Sequence, residues 1–363
     1  MIKTKLTIFS ALASSALVLS ACSSSDTTSS TDTATPQSEA TASAASESSS
    51  PSETGSVSVI ATTTMLGDVA NDIISCAGGT TTVLMPVGAD PHDFSASSDQ
   101  VASMVNADLV ITNGLGLESG LRDALENAAN DGANVMEVAA LINPIKFGSG
   151  GHDDHSDEEG HDEEGHDEEG HDEEGHDEEG HDDHGHGDLD PHFWFDMNRM
   201  ADAAQLIGAE LTQITGDEVY ITCADTTATQ IQSAESDVRE ILESVQVEKR
   251  ILVTDHDALG YLAAVYGYEV AGAVIPAGTT AASPSSSDLA ELVETIKAED
   301  VKAIFANTAV PADLADAVAA ETGDDVSVVT LYVGSLGGPD SPAATYIDMM
   351  RSNASLIAQA LQD

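Results

Sequence analysis

The sequence has few basic residues: 11 Lys and Arg stand against 64 Asp and Glu, which gives a formal charge of −53. Nucleic-acid binders contact phosphates through Lys and Arg, so this balance excludes a bare nucleic-acid binder. It also argues against docking on anionic lipid through a basic patch. Aromatic residues make up only 4% of the chain, but 41% of residues are hydrophobic, which is enough for a folded core.

Cysteine is also scarce, with three in 363 residues. The first of them, Cys22, follows a segment at 1–21 that has two early lysines and an apolar stretch at 6–19. This segment is too short to span a membrane and has the layout of a secretory signal peptide. Small residues before Cys22 resemble a lipobox, so we expect a lipid on Cys22 that holds the protein to the outer face of a bacterial cytoplasmic membrane. An ordinary signal peptide with an incidental cysteine is the alternative.

The remaining cysteines, Cys76 and Cys223, lie in the exported part of the chain. Because exported proteins meet an oxidising environment, we expect one disulfide between them, with two free thiols as the alternative. Residues 22–56 are rich in Ser, Thr and Ala and show no periodicity. That composition predicts a disordered, flexible tether.

Strand-like and helix-like segments alternate after the tether. Short apolar runs occur at 57–61, 80–85, 109–111, 251–253, 303–305 and 326–331, and helical spacing occurs between them, for example at 101–105 and 289–296. This alternation predicts α/β architecture with mainly parallel sheets. A longer amphipathic pattern covers 226–245. It predicts either a helix that connects two α/β halves or a plain surface helix of one domain.

Residues 151–187 interrupt the pattern with a five-residue repeat, Gly-His-Asp-Glu-Glu, and hold 19 acidic residues with no Lys or Arg. A period of five matches neither a helix nor a strand, and the like charges repel, so we expect a disordered insertion. We call this segment the tract. Its histidines are candidate auxiliary, low-affinity metal ligands, and a solvated acidic spacer is the alternative. They are His152, His155, His161, His166, His171, His176, His181, His184 and His186.

Histidine is nearly absent outside the tract, where only His92, His192 and His256 occur. His92 and His256 follow predicted strands, and loops at the carboxyl ends of strands are where α/β folds place ligands. Each histidine by itself fits a capping or hydrogen-bonding role. The three together, beside a His-rich tract, predict a metal site. Three neutral imidazoles suit zinc and leave a fourth position for a carboxylate or water.

The segments around these histidines resemble signature regions of the zinc-binding lipoproteins that feed bacterial ABC importers. They read GADPHD at 88–93, DPHFW at 190–194 and HDALGYL at 256–262. Two later segments, YVGSLG at 332–337 and YIDMMRSN at 346–353, resemble the same family. The similarity covers about 57–361, and a His- and acid-rich loop before the second histidine is typical of the zinc-binding members.

The resemblance implies two α/β lobes joined by a long rigid helix, with the metal in the cleft between the lobes. The N-terminal lobe would cover 57–215, the linking-helix region 216–245 and the C-terminal lobe 246–363. The three histidines would be the metal ligands, and an ABC permease and its ATPase would be the partners. Manganese-binding relatives commonly carry Glu where this chain has His256, and nitrogen at that position favours zinc.

The chain departs from the family pattern at Gly334, where many relatives carry an acidic ligand. Glycine has no side chain that can bind a metal. The fourth ligand is therefore open between water, Asp340 and another nearby acid.

These features predict a lipid-anchored, extracytoplasmic monomer that captures Zn²⁺ as cargo for an ABC importer, binds no nucleic acid and is not an enzyme. One alternative is a surface metal buffer or adhesin-like lipoprotein that binds through the tract. Another is an importer component for manganese or a different divalent metal. A zinc hydrolase with a metal-bound water is the third, but the chain has no His-Glu-x-x-His motif.

Overall fold

The computed structural model describes residues 57–148, 188–323 and 326–362. The expected signal peptide at 1–21, Cys22, the tether at 22–56 and the tract at 151–187 with its nine histidines lie outside the described residues. Among the helices that are described, none combines the length and the apolar character needed to cross a membrane.

The N-terminal lobe alternates strands with helices, as its apolar pattern predicts. Its elements are β1 (Ser58–Ala61), α1 (Thr64–Ala77), β2 (Thr80–Val83), α2 (Ser98–Asn106), β3 (Leu109–Thr112), α3 (Arg122–Asn130) and β4 (Val135–Glu137). The strands form one parallel sheet in the order β2-β1-β3-β4. Two long helices follow, α4 (Met197–Thr215) and α5 (Val219–Glu243).

The C-terminal lobe repeats the same plan. Its elements are β5 (Ile251–His256), α6 (Gly260–Tyr266), β6 (Glu269–Ile275), α7 (Ser286–Ala298), β7 (Ala303–Asn307), α8 (Asp313–Thr322), β8 (Ser327–Leu331) and α9 (Tyr346–Gln362). The sheet is again parallel, in the order β6-β5-β7-β8. The predicted α/β class with parallel sheets is confirmed.

Local side-chain chemistry explains where several helices begin. Ser97 and Gln100 form a capping box that starts α2, and Ser285 and Asp288 form another at the start of α7. The Asp196 side chain accepts hydrogen bonds from the first backbone N–H groups of α4. These caps determine the residues at which α2, α4 and α7 begin.

Helix α5 is the long helix that the pattern at 226–245 predicts, although it begins earlier, at Val219. Its 25 residues span about 37 Å. It packs against α4 and α1 of the N-terminal lobe and against α9 of the C-terminal lobe. Gly208 of α4 lets the two long helices approach closely, because a Cβ there would lie 2.8 Å from the carbonyl oxygen of Tyr220. Helix α5 therefore connects the two lobes.

A disulfide joins Cys76 in α1 to Cys223 in α5, with the two Cα atoms 6.0 Å apart. This is the pairing expected from the two exported cysteines. It cross-links the helix that follows β1 to the connecting helix.

Strand order reverses at one point in each sheet, between β1 and β3 and between β5 and β7. Open parallel sheets bind ligands outside the carboxyl ends of their strands at such points. The lobes are joined by direct hydrogen bonds in this region: Gly88 N–H donates to Ser335 Oγ at 2.8 Å, and Leu336 N–H donates to Thr64 Oγ1 at 2.8 Å. The indole N–H of Trp194 donates to the Val333 carbonyl oxygen at 3.1 Å.

Candidate metal centre

The structure brings the three predicted histidines, His92, His192 and His256, to one place. Each offers a ring nitrogen, and these atoms lie within 4.8 Å of one another. Nε2 of His92 and Nε2 of His192 are 3.4 Å apart. Two nitrogen ligands of a tetrahedral zinc ion, each bound at about 2.0–2.1 Å, would lie about 3.3 Å apart. The spacing of His92 and His192 therefore fits a metal ion bound by both rings, and His256 lies within reach of the same position.

Three different parts of the chain supply these side chains. His92 lies in the loop between β2 and α2. His192 lies between the tract and α4, and His256 is the last residue of β5. All three are buried, with at most 4% of their surface exposed. The ring centroids lie 5.3 to 5.5 Å apart and no two rings stack face to face, so the nitrogens can converge on one point.

Carboxylates behind two of the rings determine which nitrogen faces the centre. Asp190 Oδ1 lies 2.8 Å from His192 Nδ1, and Asp255 Oδ1 lies 3.0 Å from His256 Nδ1. When Nδ1–H donates to a carboxylate, Nε2 keeps its lone pair for a metal, and the ligand becomes more basic. The Nε2 atom of His256 is buried and has no hydrogen-bond partner among the described residues. That atom is thus available to a cation.

The repeated Asp-Pro-His sequence has a local structural explanation. The Asp90 side chain accepts a hydrogen bond from the His92 backbone N–H at 3.0 Å, and Asp190 does the same for His192 at 2.9 Å. An aspartate that accepts from the N–H two residues later closes a tight turn. The other Asp90 oxygen accepts from Thr280 Oγ1 of the C-terminal lobe at 2.5 Å. Both turns therefore aim an imidazole into the cleft.

Burial and the neighbouring charges shift the pKa values of the site residues in the direction that favours a bound cation. Burial, with the nearby His192 and His256, lowers the pKa of His92 to about 3. Burial also lowers the pKa of His192 well below its usual value. Both rings are therefore neutral at pH 7 and hold their lone pairs. Burial raises the pKa of Asp190 to about 7, and burial together with Asp190 raises the pKa of Asp257 to about 6. A bound cation would offset this cost of holding carboxylates in a buried cleft.

The described residues do not add a fourth side chain to this group. Among their His, Cys, Asp and Glu side chains, the cluster consists of the three histidines. Asp340, one of the expected candidates, is exposed and is not brought to them. Gly334 is buried, and its N–H donates to Asn307 Oδ1 at 3.4 Å. The sequence pattern did not indicate functional roles for Asp190, Asp255 or Asn307, although Asp190 lies two residues before His192 and Asp255 directly precedes His256.

The two segments that flank the tract meet beside His192. Lys146 and Leu189 form an antiparallel bridge, and Asp190 N–H donates to the Ile145 carbonyl oxygen at 2.9 Å. The Tyr261 hydroxyl bridges the two segments. It accepts a hydrogen bond from Ile145 N–H at 3.1 Å and donates one to the Asp190 carbonyl oxygen at 3.0 Å. The described segment that ends at Gly148 is thus attached to the turn that carries His192.

Comparison with known proteins identifies the family. A family model described as zinc-uptake complex component A, periplasmic (ZnuA), matches residues 59–360. The chain belongs to this family. Among its relatives is the manganese-binding lipoprotein MntA of Halalkalibacterium halodurans, 24% identical over 307 residues, or 84% of this chain and 88% of that protein. The zinc-binding protein TroA of Treponema pallidum is 26% identical over 307 residues, or 82% of this chain and 87% of that protein.

Solved structures show the same fold. The periplasmic zinc-binding protein TroA from Treponema pallidum superposes with a TM-score of 0.67 at 24% identity, covering 85% of this chain and 99% of that one. A manganese-bound periplasmic metal-binding protein from Candidatus Liberibacter asiaticus gives 0.65 at 25% identity, covering 84% and 99%. The two-lobe architecture expected from the sequence motifs is confirmed.

Membership of the ZnuA family makes this chain a metal-binding substrate-binding protein of an ABC transporter. The family consists of solute-binding transport proteins and not of enzymes, which confirms that expectation. Its members work with ABC permease and ATPase components and bind metal outside the cytoplasm. The names of the relatives include zinc, manganese and iron as the bound metal.

Proposed function

We propose that this protein captures Zn²⁺ outside the cytoplasmic membrane and delivers it to the permease of an ABC importer. The observation that carries the proposal is the all-nitrogen group of His92, His192 and His256, which is buried in the cleft. Imidazole nitrogen favours zinc, whereas manganese prefers carboxylate and other oxygen ligands. The match to a zinc-uptake family model supports the same metal.

The site geometry suits capture followed by transfer. Two of the imidazoles are oriented by carboxylates before metal arrives, so binding does not require their rings to be reorganised. The rings come from both lobes, so the metal would bridge the cleft and favour its closed form. Separation of the lobes at the permease would divide the ligand set and release the ion.

Competition titration of purified, metal-free protein against a chelator of known zinc affinity tests the proposal. We expect one tight Zn²⁺ per chain, and we expect it to disappear when His92, His192 and His256 are all replaced by Ala. Tight binding that survives the triple replacement would refute the site. A far-ultraviolet circular dichroism spectrum of the triple variant provides the folding control.

Deletion of residues 151–187 separates capture in the cleft from a surface metal buffer. Under our proposal the deletion variant keeps the tight Zn²⁺ and loses weaker ions that bind the nine tract histidines. Loss of nearly all binding would instead favour the buffer function. The two variants together assign each class of bound metal to the cleft or to the tract.

Manganese is the second candidate cargo, because two MntA relatives, from Halalkalibacterium halodurans and Bacillus subtilis, are described as manganese-binding. Direct competition between Zn²⁺ and Mn²⁺ decides between the two metals. We expect zinc to displace manganese from the wild type. The variant His256→Glu supplies a carboxylate oxygen and should shift the preference toward manganese. A wild type that retains Mn²⁺ against equimolar Zn²⁺ would contradict the zinc assignment.

The proposal includes a lipid anchor on Cys22 and a monomeric mature chain. Mass spectrometry of protein from membranes should find lipid on the Cys22 peptide, and Cys22→Ala should release the protein from the membrane fraction. Sedimentation of the metal-free and zinc-loaded protein should give the mass of one chain. Release that is equal in the wild type and in Cys22→Ala would remove the anchor from the proposal.

A further inference from the structure

One loop of the C-terminal lobe contacts a neighbour of each of the three ligand histidines. It joins β6 to α7 and comprises residues 276–285, and we call it the cleft loop. Its first contact is within its own lobe. The N–H of Asp257, the residue after His256, donates to the Ala277 carbonyl oxygen at 3.0 Å. The cleft loop therefore begins beside the ligand that the C-terminal lobe supplies.

The next two contacts of the cleft loop cross to the N-terminal lobe. Gly278 lies against the ring of Phe147, whose centroid is 6.4 Å from that of the His192 ring. Two residues further on, the partly buried Thr280 hydroxyl donates to Asp90 Oδ2 at 2.5 Å. The cleft loop thus reaches neighbours of both ligands that the N-terminal lobe supplies.

Asp90 connects the Thr280 contact to a metal ligand. Its Oδ1 accepts from the His92 backbone N–H at 3.0 Å, while its Oδ2 accepts from Thr280. One carboxylate therefore holds the His92 turn with one oxygen and the opposite lobe with the other. The lobes cannot separate at this point unless the Thr280 bond breaks or the His92 turn moves with the C-terminal lobe.

His92 depends on its backbone more than the other two ligands do. Asp190 and Asp255 orient the rings of His192 and His256 directly. Within the part of the chain that the structure describes, no carboxylate lies within ion-pairing distance of the His92 ring. The position of the His92 imidazole is therefore determined by the turn that carries it, and Thr280 holds that turn from across the cleft.

Among the described residues, two hydrogen bonds join the loop that carries His92 to the C-terminal lobe. Gly88 N–H donates to the neutral hydroxyl of Ser335, and the Asp90 carboxylate accepts from Thr280. A hydrogen bond to a carboxylate is roughly twice as strong as one between neutral groups. The Thr280 bond is therefore the stronger of the two, and it acts on the turn that presents the ligand.

We propose that Thr280 is a positioning residue for metal retention, which acts through Asp90 to hold the His92 turn across the cleft and so slows release of the bound metal. The inference rests on the proposed function, since it needs a metal bound by the three histidines. Separation of the lobes breaks the bond and removes support from one ligand. Loss of a contact that is made when the lobes are together should appear in the dissociation rate rather than in the association rate.

Stopped-flow release of Zn²⁺ to an excess of chelator tests the role of Thr280. Thr280→Val removes the hydroxyl and keeps the size of the side chain. We expect zinc to leave this variant about tenfold faster than it leaves the wild type, with an unchanged association rate. Thr280→Ser keeps a hydroxyl and should restore slow release. Equal release from the wild type and Thr280→Val, or fast release from Thr280→Ser, would overturn the proposal.

Thr279→Val is the matched control, since it makes the same change one residue earlier in the cleft loop. The Thr279 hydroxyl oxygen accepts from Ala281 N–H and makes no bond across the cleft among the described residues. We expect this variant to release zinc at the wild-type rate. Acceleration equal to that of Thr280→Val would mean that any disturbance of the cleft loop has the same effect, which would overturn the specific role of Thr280.

A double-mutant cycle tests whether Thr280 acts through Asp90. In Asp90→Ala the Thr280 hydroxyl has no carboxylate to hold, so the further change Thr280→Val should not accelerate release again. Additive effects of the two replacements would overturn the route through Asp90.

The outcomes also separate this inference from the proposed function. A wild type without tight zinc, or tight zinc that persists after replacement of the three histidines, would refute the metal site itself. Histidine-dependent zinc binding with equal release from the wild type and Thr280→Val would leave the metal site in place and refute only the role of Thr280.

Discussion

Asn113 donates a hydrogen bond of 2.9 Å from its side-chain nitrogen to the carbonyl oxygen of Pro191. This bond attaches the residue before His192 to the carboxyl end of β3, 78 positions earlier in the chain. Six residues after Asn113, the Ser119 hydroxyl donates to the His92 carbonyl oxygen at 2.6 Å. One short segment, 113–119, thus holds both histidine loops of the N-terminal lobe.

Glu118 is the buried centre of this segment. Its Oε1 accepts from the hydroxyls of Thr62 and Thr112 at 2.6 and 2.8 Å and from Asn113 N–H at 2.7 Å. Its Oε2 accepts from Gly114 N–H at 3.0 Å. A carboxylate with four donors is a rigid connection, because breaking it would leave buried polar groups unpaired. The ends of β1 and β3 are therefore fixed beneath the metal site.

Loss of either hydrogen bond to a histidine loop should weaken metal binding. We expect Asn113→Ala and Ser119→Ala each to cost about 0.5–1.5 kcal/mol, which is roughly a two- to tenfold rise in the Kd for zinc. Ser103→Ala is the matched control, since its hydroxyl donates to the Asp99 carbonyl oxygen on the exposed helix α2. Chelator competition measures all three. An equal loss of affinity in Ser103→Ala would show that the effect is not local.

The disulfide between Cys76 and Cys223 should stabilise the fold without changing the metal stoichiometry. It joins residues that are 147 positions apart, and its removal gives the unfolded chain more conformational entropy. We expect the double replacement by Ala to lower the free energy of unfolding by about 2–4 kcal/mol in urea denaturation. Reductant should lower the stability of the wild type by a similar amount and leave the variant unaffected. Sensitivity of the variant to reductant would contradict this explanation.

Much of the fold was predictable because buried parallel strands have short, continuous apolar runs. The runs at 109–111 and 303–305 predicted β3 and β7. Strand β6 was missed, since Glu269 and Gly272 interrupt its apolar character and the neighbouring β5 supplies the pairing. The pattern at 226–245 located α5 but not its start, because the first turns of that helix are buried against α4 through small residues such as Ala224.

The candidate ligands were predictable and their supporting residues were not. His92, His192 and His256 stood out because histidine is so rare outside the tract. Glu118 and Asn307 have no comparable signal, since each resembles many other polar residues at strand ends. Their hydrogen bonds depend on which buried donors the folded chain brings next to them. Those are properties of the folded chain and not of any local pattern.

The stability of the metal-free protein should contain a pH-dependent contribution from Asp68. Burial, with Asp72 on α1 and Asp348 on α9, raises its pKa to about 6, against the opposing hydrogen bond from Tyr346 N–H. The folded state therefore binds this proton more tightly than the unfolded state, whose carboxyl has an ordinary pKa. Its contribution to stability is present near pH 4 and is lost as the pH rises through about 6.

Asp68→Asn tests this contribution, because the amide cannot ionise and its oxygen can still accept from Tyr346 N–H. We expect the wild type to lose about 1–2 kcal/mol relative to Asp68→Asn between pH 4.5 and pH 7.5, allowing for partial screening by solvent. Urea denaturation at several pH values provides the measurement. A constant difference between the two proteins across this range would contradict the raised pKa.

Phe147 should slow the escape of bound metal. Its ring lies 6.4 Å from the His192 ring, measured between centroids, and covers Gly278, where any Cβ would overlap the ring. The ring thus contacts both lobes at the edge of the site. We expect Phe147→Ala to release zinc to an excess of chelator severalfold faster in stopped-flow experiments, and Gly278→Ala to act in the same direction by displacing the ring. Val87→Ala, which trims an exposed side chain, is the control. Release rates that are equal in all four proteins would mean that the ring does not restrict the metal.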